Sequence, residues 1–377
     1  MAASAVPALT SNGFTPATTR VLEWPEPVQR VQELAESGIK SLPPRYIKPE
    51  EERKPTYETV SKAELPPVVD LSGIEEGDVQ QLSVLSCACR EWGVFQVGNH
   101  GIPSERLKSV MRVSRGFFDL PMAEKLKYAN NPVTYEGYGS RLGVQKGIPL
   151  DWNDYYFHLL RPISATNGQQ KWPRQPTEYR RVISEYGEMV MGLCKRLLSI
   201  FSRDLKLEEE GSLLERLGGE SGLEASYRMN YYPKCPQPEL ALGLSPHTDP
   251  GAMTVLLQDV PGLQVQRDGL WFSVPPVEGA LVVILGDQLE IVSNGIYNSV
   301  NHRTTVNREK ERMSMVVFVN PLADKKIGPL ETLVKRSSGF PLYQEMSFNE
   351  YRKFIRTLGI QGKAILASIA NANPQNI

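Results

Sequence analysis

The spacing of apolar residues changes twice along this chain, and each change marks a new kind of element. Between residues 177 and 204, Tyr179, Val182, Ile183, Tyr186, Val190, Leu193, Leu197 and Phe201 recur mostly at intervals of three and four. That spacing predicts one long amphipathic helix with a single face on a core. From residue 224 to about 320 the pattern becomes short β-rich runs broken by Gly and Pro, as in a barrel of short strands. Helical spacing returns after Pro321, most clearly at 348–358. Upstream, helices are expected at 25–36, 76–91 and 104–117, and strands at 67–71 and 93–99. The Pro- and charge-rich run 42–57 reads as an ordered arm over the surface.

These elements predict an α+β chain: a double-stranded β-helix (jelly-roll) barrel with supporting helices, an N-terminal α/β region and a C-terminal helix. The expected divisions are a disordered extension at 1–24, an α/β domain with the long helix at 25–220, a barrel core at 221–325, and a helical segment and tail at 326–377. The first 22 residues lack Asp and Glu and carry only Arg20 as a charge. That is less arginine than a plastid transit peptide usually has, so a plain extension is expected.

Composition narrows the function without identifying it. Basic residues number 42 and acidic 43, for a formal net charge of −1. Such a balance argues against nucleic acid and against an anionic membrane surface as partners. The longest apolar stretches, such as Leu281 to Leu285, are strand-sized and too short to span a bilayer. Four cysteines form no CxxC pair and no disulfide framework. Free thiols suit a reducing compartment, and the chain is expected to be a cytoplasmic monomer, present in the nucleus as well or not.

The candidate chemistry lies in four histidines and one Arg-x-Ser. His247 and Asp249 are two apart, and His302 follows about fifty residues later. Two imidazoles and one carboxylate on one side of a metal leave positions open, the donor set of non-haem Fe(II) oxygen chemistry. Residues two apart share a strand face, so His247 and Asp249 can point together while Thr248 points away. Arg312 and Ser314 follow His302 by ten and twelve residues. A guanidinium and a hydroxyl on one strand face are suited to the distal carboxylate of a dicarboxylic acid. By the same period, Arg228, Asn230 and Tyr232 share a face. His100 and His158 have no such company and are read as structural.

The run Asn230-Tyr231-Tyr232-Pro233-Lys234-Cys235-Pro236 resembles the Asn-Tyr-Tyr-Pro-x-Cys-Pro segment of plant 2-oxoglutarate-dependent dioxygenases, which include anthocyanidin synthase and flavonol synthase. Gly262-Leu263-Gln264-Val265, Gly286-Asp287, Ser293-Asn294-Gly295, Cys89-Arg90-Glu91-Trp92-Gly93 and Asn99-His100-Gly101-Ile102 are similar too. The resemblance covers roughly residues 28 to 360. It implies Fe(II) held by His247, Asp249 and His302, with 2-oxoglutarate and O2 as cosubstrates and ascorbate in support. It also implies that Tyr232 joins Arg312 and Ser314 on the cosubstrate carboxylate, with Asn230 near the oxo-acid end. No protein nucleophile or acid–base pair is needed.

The stretch from Tyr135 to Val144, with Leu42-Pro43-Pro44-Arg45-Tyr46, is most similar to the jasmonate-induced oxygenase branch. That resemblance implies hydroxylation of a small carboxylate, jasmonic acid to its 12-hydroxy form, with Arg228, Phe348 and Arg352 meeting the substrate. Phe348 and Arg352 are four apart on one helix face. Flavonoid-type relatives imply Tyr138 and Phe318 as pocket walls. Two other readings stand beside it: a flavonoid or other specialised-metabolite dioxygenase, and a non-catalytic metabolite-binding barrel.

Overall fold

Fourteen short strands build the described part of the molecule: β1 (Val68–Asp70), β2 (Val94–Gly98), β3 (Gly137–Gly139), β4 (Asp154–Arg161), β5 (Glu224–Tyr232), β6 (Leu244–His247), β7 (Met253–Gln258), β8 (Leu263–Arg267), β9 (Leu270–Ser273), β10 (Leu281–Leu285), β11 (His302–Thr304), β12 (Arg312–Asn320), β13 (Lys326–Ile327) and β14 (Met346–Ser347). The computed structural model describes residues 29–53, 65–132, 134–140, 146–162, 169–220, 222–358 and 362–371, without the side chains of 356–358. The extension at 1–24, the start of the helix expected from 25, the arm beyond 53, Arg141 to Val144 and the last residues of the tail lie outside them.

From β5 to β12 the chain passes back and forth between two sheets, with β8 and β9 a hairpin in one of them, and β13 and β14 form a separate pair. The larger has the order β1-β2-β10-β7-β12-β5-β4-β3, and the smaller β6-β11-β8-β9. This alternation closes the jelly roll. Strands β1 to β4, from the N-terminal region, extend the same sheet that β5, β7, β10 and β12 form.

The pleat gives the large sheet two different faces. Tyr227, Met229, Tyr231, Met313, Met315, Val317 and Val319 point to one side and join the main core. The long helix, Tyr179–Asp204, covers that side, and the apolar positions predicted for it are all buried. Each large apolar side chain removed from water there contributes about 1.5–3 kcal/mol. The helix Ser104–Phe118 packs on the same side, with Phe117 edge-on to Tyr156 at 4.8 Å. The opposite face looks into the barrel. Val94, Leu256, Val282, Ile284 and Val316 meet Leu263 and Val265 of the smaller sheet there, with Phe318 against them.

Two predicted elements are revised. The helix expected at 76–91 begins at Val79 and runs through Val79–Cys87 into one wider helical turn at Ala88–Trp92, and a separate short helix, Leu71–Glu75, precedes it. Asp78 caps the helix by accepting N–H bonds from Gln80 and Gln81, which sets its start three residues later than the apolar spacing suggested. A short helix, Asp287–Val292, also interrupts the strand-rich stretch. The C-terminal helix Phe348–Leu358 stands where it was expected. Within the described part of the arm, Tyr46 packs edge-on to Trp152 at 5.1 Å, and buried Lys48 pairs with Asp151 at 2.8 Å.

Candidate metal centre

His247 closes β6 and His302 opens β11, and the register pairs the two residues directly. Their rings lie 4.1 Å apart, and each Nε2 is 3.7 Å from the same oxygen, Asp249 Oδ1. One ligand atom from each of the three residues falls within 4.8 Å of the others. Strand β6 stops at His247, so Asp249 sits on the following loop instead of sharing a strand face. Two contacts hold it there: Thr254 Oγ1 donates to Asp249 Oδ2 at 2.5 Å, and the Asp287 N–H donates to the Asp249 carbonyl at 2.8 Å. Gly286 permits this approach, because a Cβ there would collide with the Gly251 carbonyl and lie 3.0 Å from that of Asp249. Thr248 turns away, as expected, and donates to Asp287 Oδ2.

The imidazoles are set for a metal. His247 Nδ1 lies 2.8 Å from the Ser245 carbonyl, and His302 Nδ1 lies 3.1 Å from that of Val300. A carbonyl only accepts, so both Nδ1 atoms carry the proton and both Nε2 lone pairs face Asp249. Burial, then the neighbouring His302, push the His247 pKa down to about 4, which keeps its ring neutral. Two neutral nitrogens and one carboxylate, each oriented by an outer contact, fit Fe(II).

A second group of residues lies along β5 and β12. The register sets Arg312 opposite Tyr232, and Ser314 opposite Asn230. Arg312 is buried, with its guanidinium 5.0 Å from the Tyr232 ring centre. Its Nη2 donates to Gln258 Oε1 at 2.8 Å and its Nε to the Val260 carbonyl, while Nη1 has no partner among the described residues. An unpaired buried guanidinium nitrogen costs free energy unless an anion meets it. Gly262 makes room for this side chain, since a Cβ there would lie 2.7 Å from Arg312 Cδ. A cavity of about 320 Å³ reaches Tyr232, Gly262, Lys310 and Arg312.

Arg228 lies on the same face. Its Nε donates to Asn230 Oδ1 at 2.6 Å, Asn230 donates in turn to Ser314 Oγ at 3.3 Å, and the guanidinium stacks 4.1 Å from the centre of the Tyr155 ring. Arg228 Nη2 also has no partner among the described residues. Burial pulls both arginine pKa values down, but this side chain stays protonated in proteins.

The expected substrate residues divide. Phe318 faces the barrel, beside Ser226 on one strand and Thr254 on the other. Arg352 lies 4.8 Å over the buried Phe348 ring, but its Nη1 is 3.6 Å from Glu224 Oε2. Glu224 is four residues from Arg228 on β5, about 13 Å along a strand. Tyr138 is a correction. It pairs with Tyr156, which pairs with Met229, so it faces the helix-packed core, where its hydroxyl donates to Asp154 Oδ2 at 2.9 Å. The pleat of β3 puts it on the opposite side of the sheet from the metal. His158 and His100 are structural as read: His158 Nε2 contacts Tyr179 Oη, and His100 Nδ1 accepts the Ile102 N–H.

Residue-by-residue reading missed Thr254, Gln258 and Phe157. Phe157 pairs with Arg228, on the barrel side of β4. The available signal was period-2 counting on β4 and β7, but that gives a face only once the register is known.

Residues 223–321 match the family model of the 2OG-Fe(II) oxygenase superfamily, and residues 66–175 match that of the non-haem dioxygenase in morphine synthesis N-terminal domain. The chain is 50% identical to Jasmonate-induced oxygenase 2 of Arabidopsis thaliana, over 92% of this chain and 94% of that protein. It is 43% identical to a flavonol synthase/flavanone 3-hydroxylase of Eustoma exaltatum subsp. russellianum, over 82% of this chain and 93% of that one. Among solved structures, JOX2 in complex with 2OG, Fe and JA matches with a TM-score of 0.85 and 48% identity, covering 93% of this chain and all of that one.

Proposed function

The chain belongs to the 2-oxoglutarate- and Fe(II)-dependent oxygenase superfamily, and from that premise we propose that it hydroxylates a small carboxylate, jasmonic acid, at carbon 12. The observation that carries this reading is a pair of buried arginines, Arg228 and Arg312, on one face of the barrel, each with a guanidinium nitrogen that lacks a partner. Arg312 sits opposite Tyr232 and Arg228 opposite Val316, four rungs away. Two separated cationic groups suit two separate carboxylates, one on 2-oxoglutarate and one on the prime substrate.

Iron and 2-oxoglutarate, when bound, supply the oxidising power: O2 decarboxylates the oxo acid to succinate and CO2, and one oxygen atom goes to a C–H bond of the substrate. The protein supplies position and dryness. His247, Asp249 and His302 hold the metal, with Thr254 and the Ser245 and Val300 carbonyls fixing their orientation. Arg312, Ser314 and Tyr232 take the distal carboxylate of 2-oxoglutarate, and Gln258 keeps the guanidinium in its plane. Asn230 links the two halves, accepting from Arg228 and donating to Ser314. Leu256, Val282, Ile284, Val316 and Phe318 exclude water from the space between. Arg228 binds the substrate carboxylate, and Arg352 with Phe348 approaches it from the C-terminal helix.

The protein acts as a cytoplasmic monomer in this reading. Its balanced charge offers no pull toward nucleic acid or anionic lipid, and among the described residues no helix is long and apolar enough to cross a membrane. The test is incubation with iron, 2-oxoglutarate, ascorbate and jasmonic acid or its methyl ester, followed by mass spectrometry. We expect a gain of one oxygen on the acid and poor turnover of the ester, which keeps the pentenyl chain but lacks the charge. Equal turnover of both would reject a carboxylate site and favour a neutral substrate such as a flavonoid.

A further inference from the structure

We infer that Glu224 is a resident competitor for the substrate carboxylate, occupying Arg352 until the substrate displaces it. The inference rests on the reading of Arg352 as a substrate-binding group. Glu224 opens β5 on the same pleat face as Arg228, and the register places it opposite Asn320, two rungs beyond the Ser226–Phe318 pair. It therefore lies on the barrel side of the sheet, at the end of β5 reached by the C-terminal helix. Its Oε2 is 3.6 Å from Arg352 Nη1, and its Oε1 accepts the Ala323 N–H at 3.2 Å. The same helix is tied to the same loop by the Asn349 N–H, which donates to the Ala323 carbonyl at 2.8 Å.

Arg352 is thereby held from three sides. Nη1 faces Glu224, Nη2 donates to Asn349 Oδ1 at 2.5 Å, and the guanidinium plane lies over Phe348. A guanidinium grips a carboxylate best with two parallel N–H groups, and here one of its nitrogens already faces a carboxylate. An incoming carboxylate must therefore replace Glu224 or share Arg352 with it, and in either case two negative groups compete for one cation.

The contrast with Arg228 is instructive. Among the described residues Arg228 has an open nitrogen and no acidic hydrogen-bond partner, so it accepts an anion without displacing one. Glu224 makes the second contact conditional. Only a carboxylate that meets Arg228 and Arg352 together gains enough to displace Glu224. A neutral ligand of similar shape leaves the Glu224–Arg352 pair closed. Glu224 is thus a specificity-determining residue: it lowers affinity for the acid and sets a threshold for what is accepted.

A double-mutant cycle tests this by titrating jasmonic acid, without oxygen, into protein loaded with iron and 2-oxoglutarate. The variants are Glu224→Gln, Arg352→Ala and both together. Gln still accepts the Ala323 N–H, so the loop keeps its anchor. We expect Glu224→Gln to tighten jasmonic acid binding roughly three- to tenfold, the scale of a partly exposed ion pair. The affinity for 2-oxoglutarate should not change, and the same substitution in the Arg352→Ala background should have no effect. A purely structural role for Glu224 would instead weaken binding or alter melting in both backgrounds. If Arg352→Ala weakens binding and Glu224→Gln does not tighten it, the competitor inference is overturned while the substrate reading stands. If Arg352→Ala leaves binding unchanged, the role of Arg352 itself fails, and the inference with it.

Discussion

His247 and His302 face each other across the β6–β11 pair, and each donates its Nδ1 proton to the carbonyl two residues before it, Ser245 and Val300. The two rings are thus fixed by the same local device on two strands that are far apart in sequence. Each presents one lone pair to one carboxylate oxygen, which makes the centre a property of the strand pairing itself.

Replacing any one of His247, Asp249 or His302 with Ala should abolish turnover and leave the fold largely intact, because the main core lies on the other face of the sheet. Metal titration with Fe(II) or Mn(II), read beside circular dichroism, checks both halves. Succinate production at the wild-type level, with iron still bound, would remove that residue from the metal site.

Thr254→Val should weaken metal binding roughly tenfold or more, since the hydroxyl that orients Asp249 is lost while the side-chain volume is kept. Thr254→Ser should restore most of it. The measurement is metal affinity, which separates this role from a general loss of stability.

Arg312→Ala should raise the KM for 2-oxoglutarate sharply, because a charge-assisted contact worth about 1.5–3 kcal/mol is removed. Ser314→Ala should do less. Gly262→Ala should act in the same direction as Arg312→Ala with every polar group still present, since its methyl would press on the Arg312 side chain. An unchanged KM in both Arg312→Ala and Gly262→Ala would move the carboxylate site elsewhere.

The buried His158 predicts a pH dependence of stability away from the metal. Burial lowers its pKa from 6.5 to about 3. Between those values the unfolded chain binds the extra proton, so stability falls as pH drops from about 6.5 toward 3, by about 1.4 kcal/mol per unit at most. Urea unfolding at pH 7, 5.5 and 4.5 should show a shallower loss in His158→Gln than in the wild type. Parallel curves for the two proteins would assign the acid sensitivity to other groups.

Much of this was legible in the chain because the key residues come in pairs close together in sequence. His247 with Asp249, Arg312 with Ser314, and Arg228 with Asn230 and Tyr232 each need only local spacing to be grouped. Phe348–Leu358 was legible for the same reason, as a helix with one strong period. Tyr138 was misplaced because the side of the sheet it faces depends on the register of β3 with β4 and of β4 with β5, which no local pattern encodes. Thr254 and Gln258 were missed for a related reason: they act across strands, on Asp249 and Arg312, and look like ordinary strand residues in sequence. The start at Val79 was not read because Asp78, which caps it, looks in sequence like any surface acid.

The alternation along β5 and β12 gives this enzyme two nearly independent sets of mutable positions. Even-numbered residues from 226 to 232 and from 312 to 318 face the barrel interior, whereas their odd-numbered neighbours hold the sheet to its helices. A lineage, or a laboratory library, that varies only the even set can explore new substrates while the thermodynamic foundation stays constant. Variation in the odd set spends stability and leaves selectivity where it was. Divergence among relatives on one scaffold is thereby open to small steps, each of which leaves a folded protein.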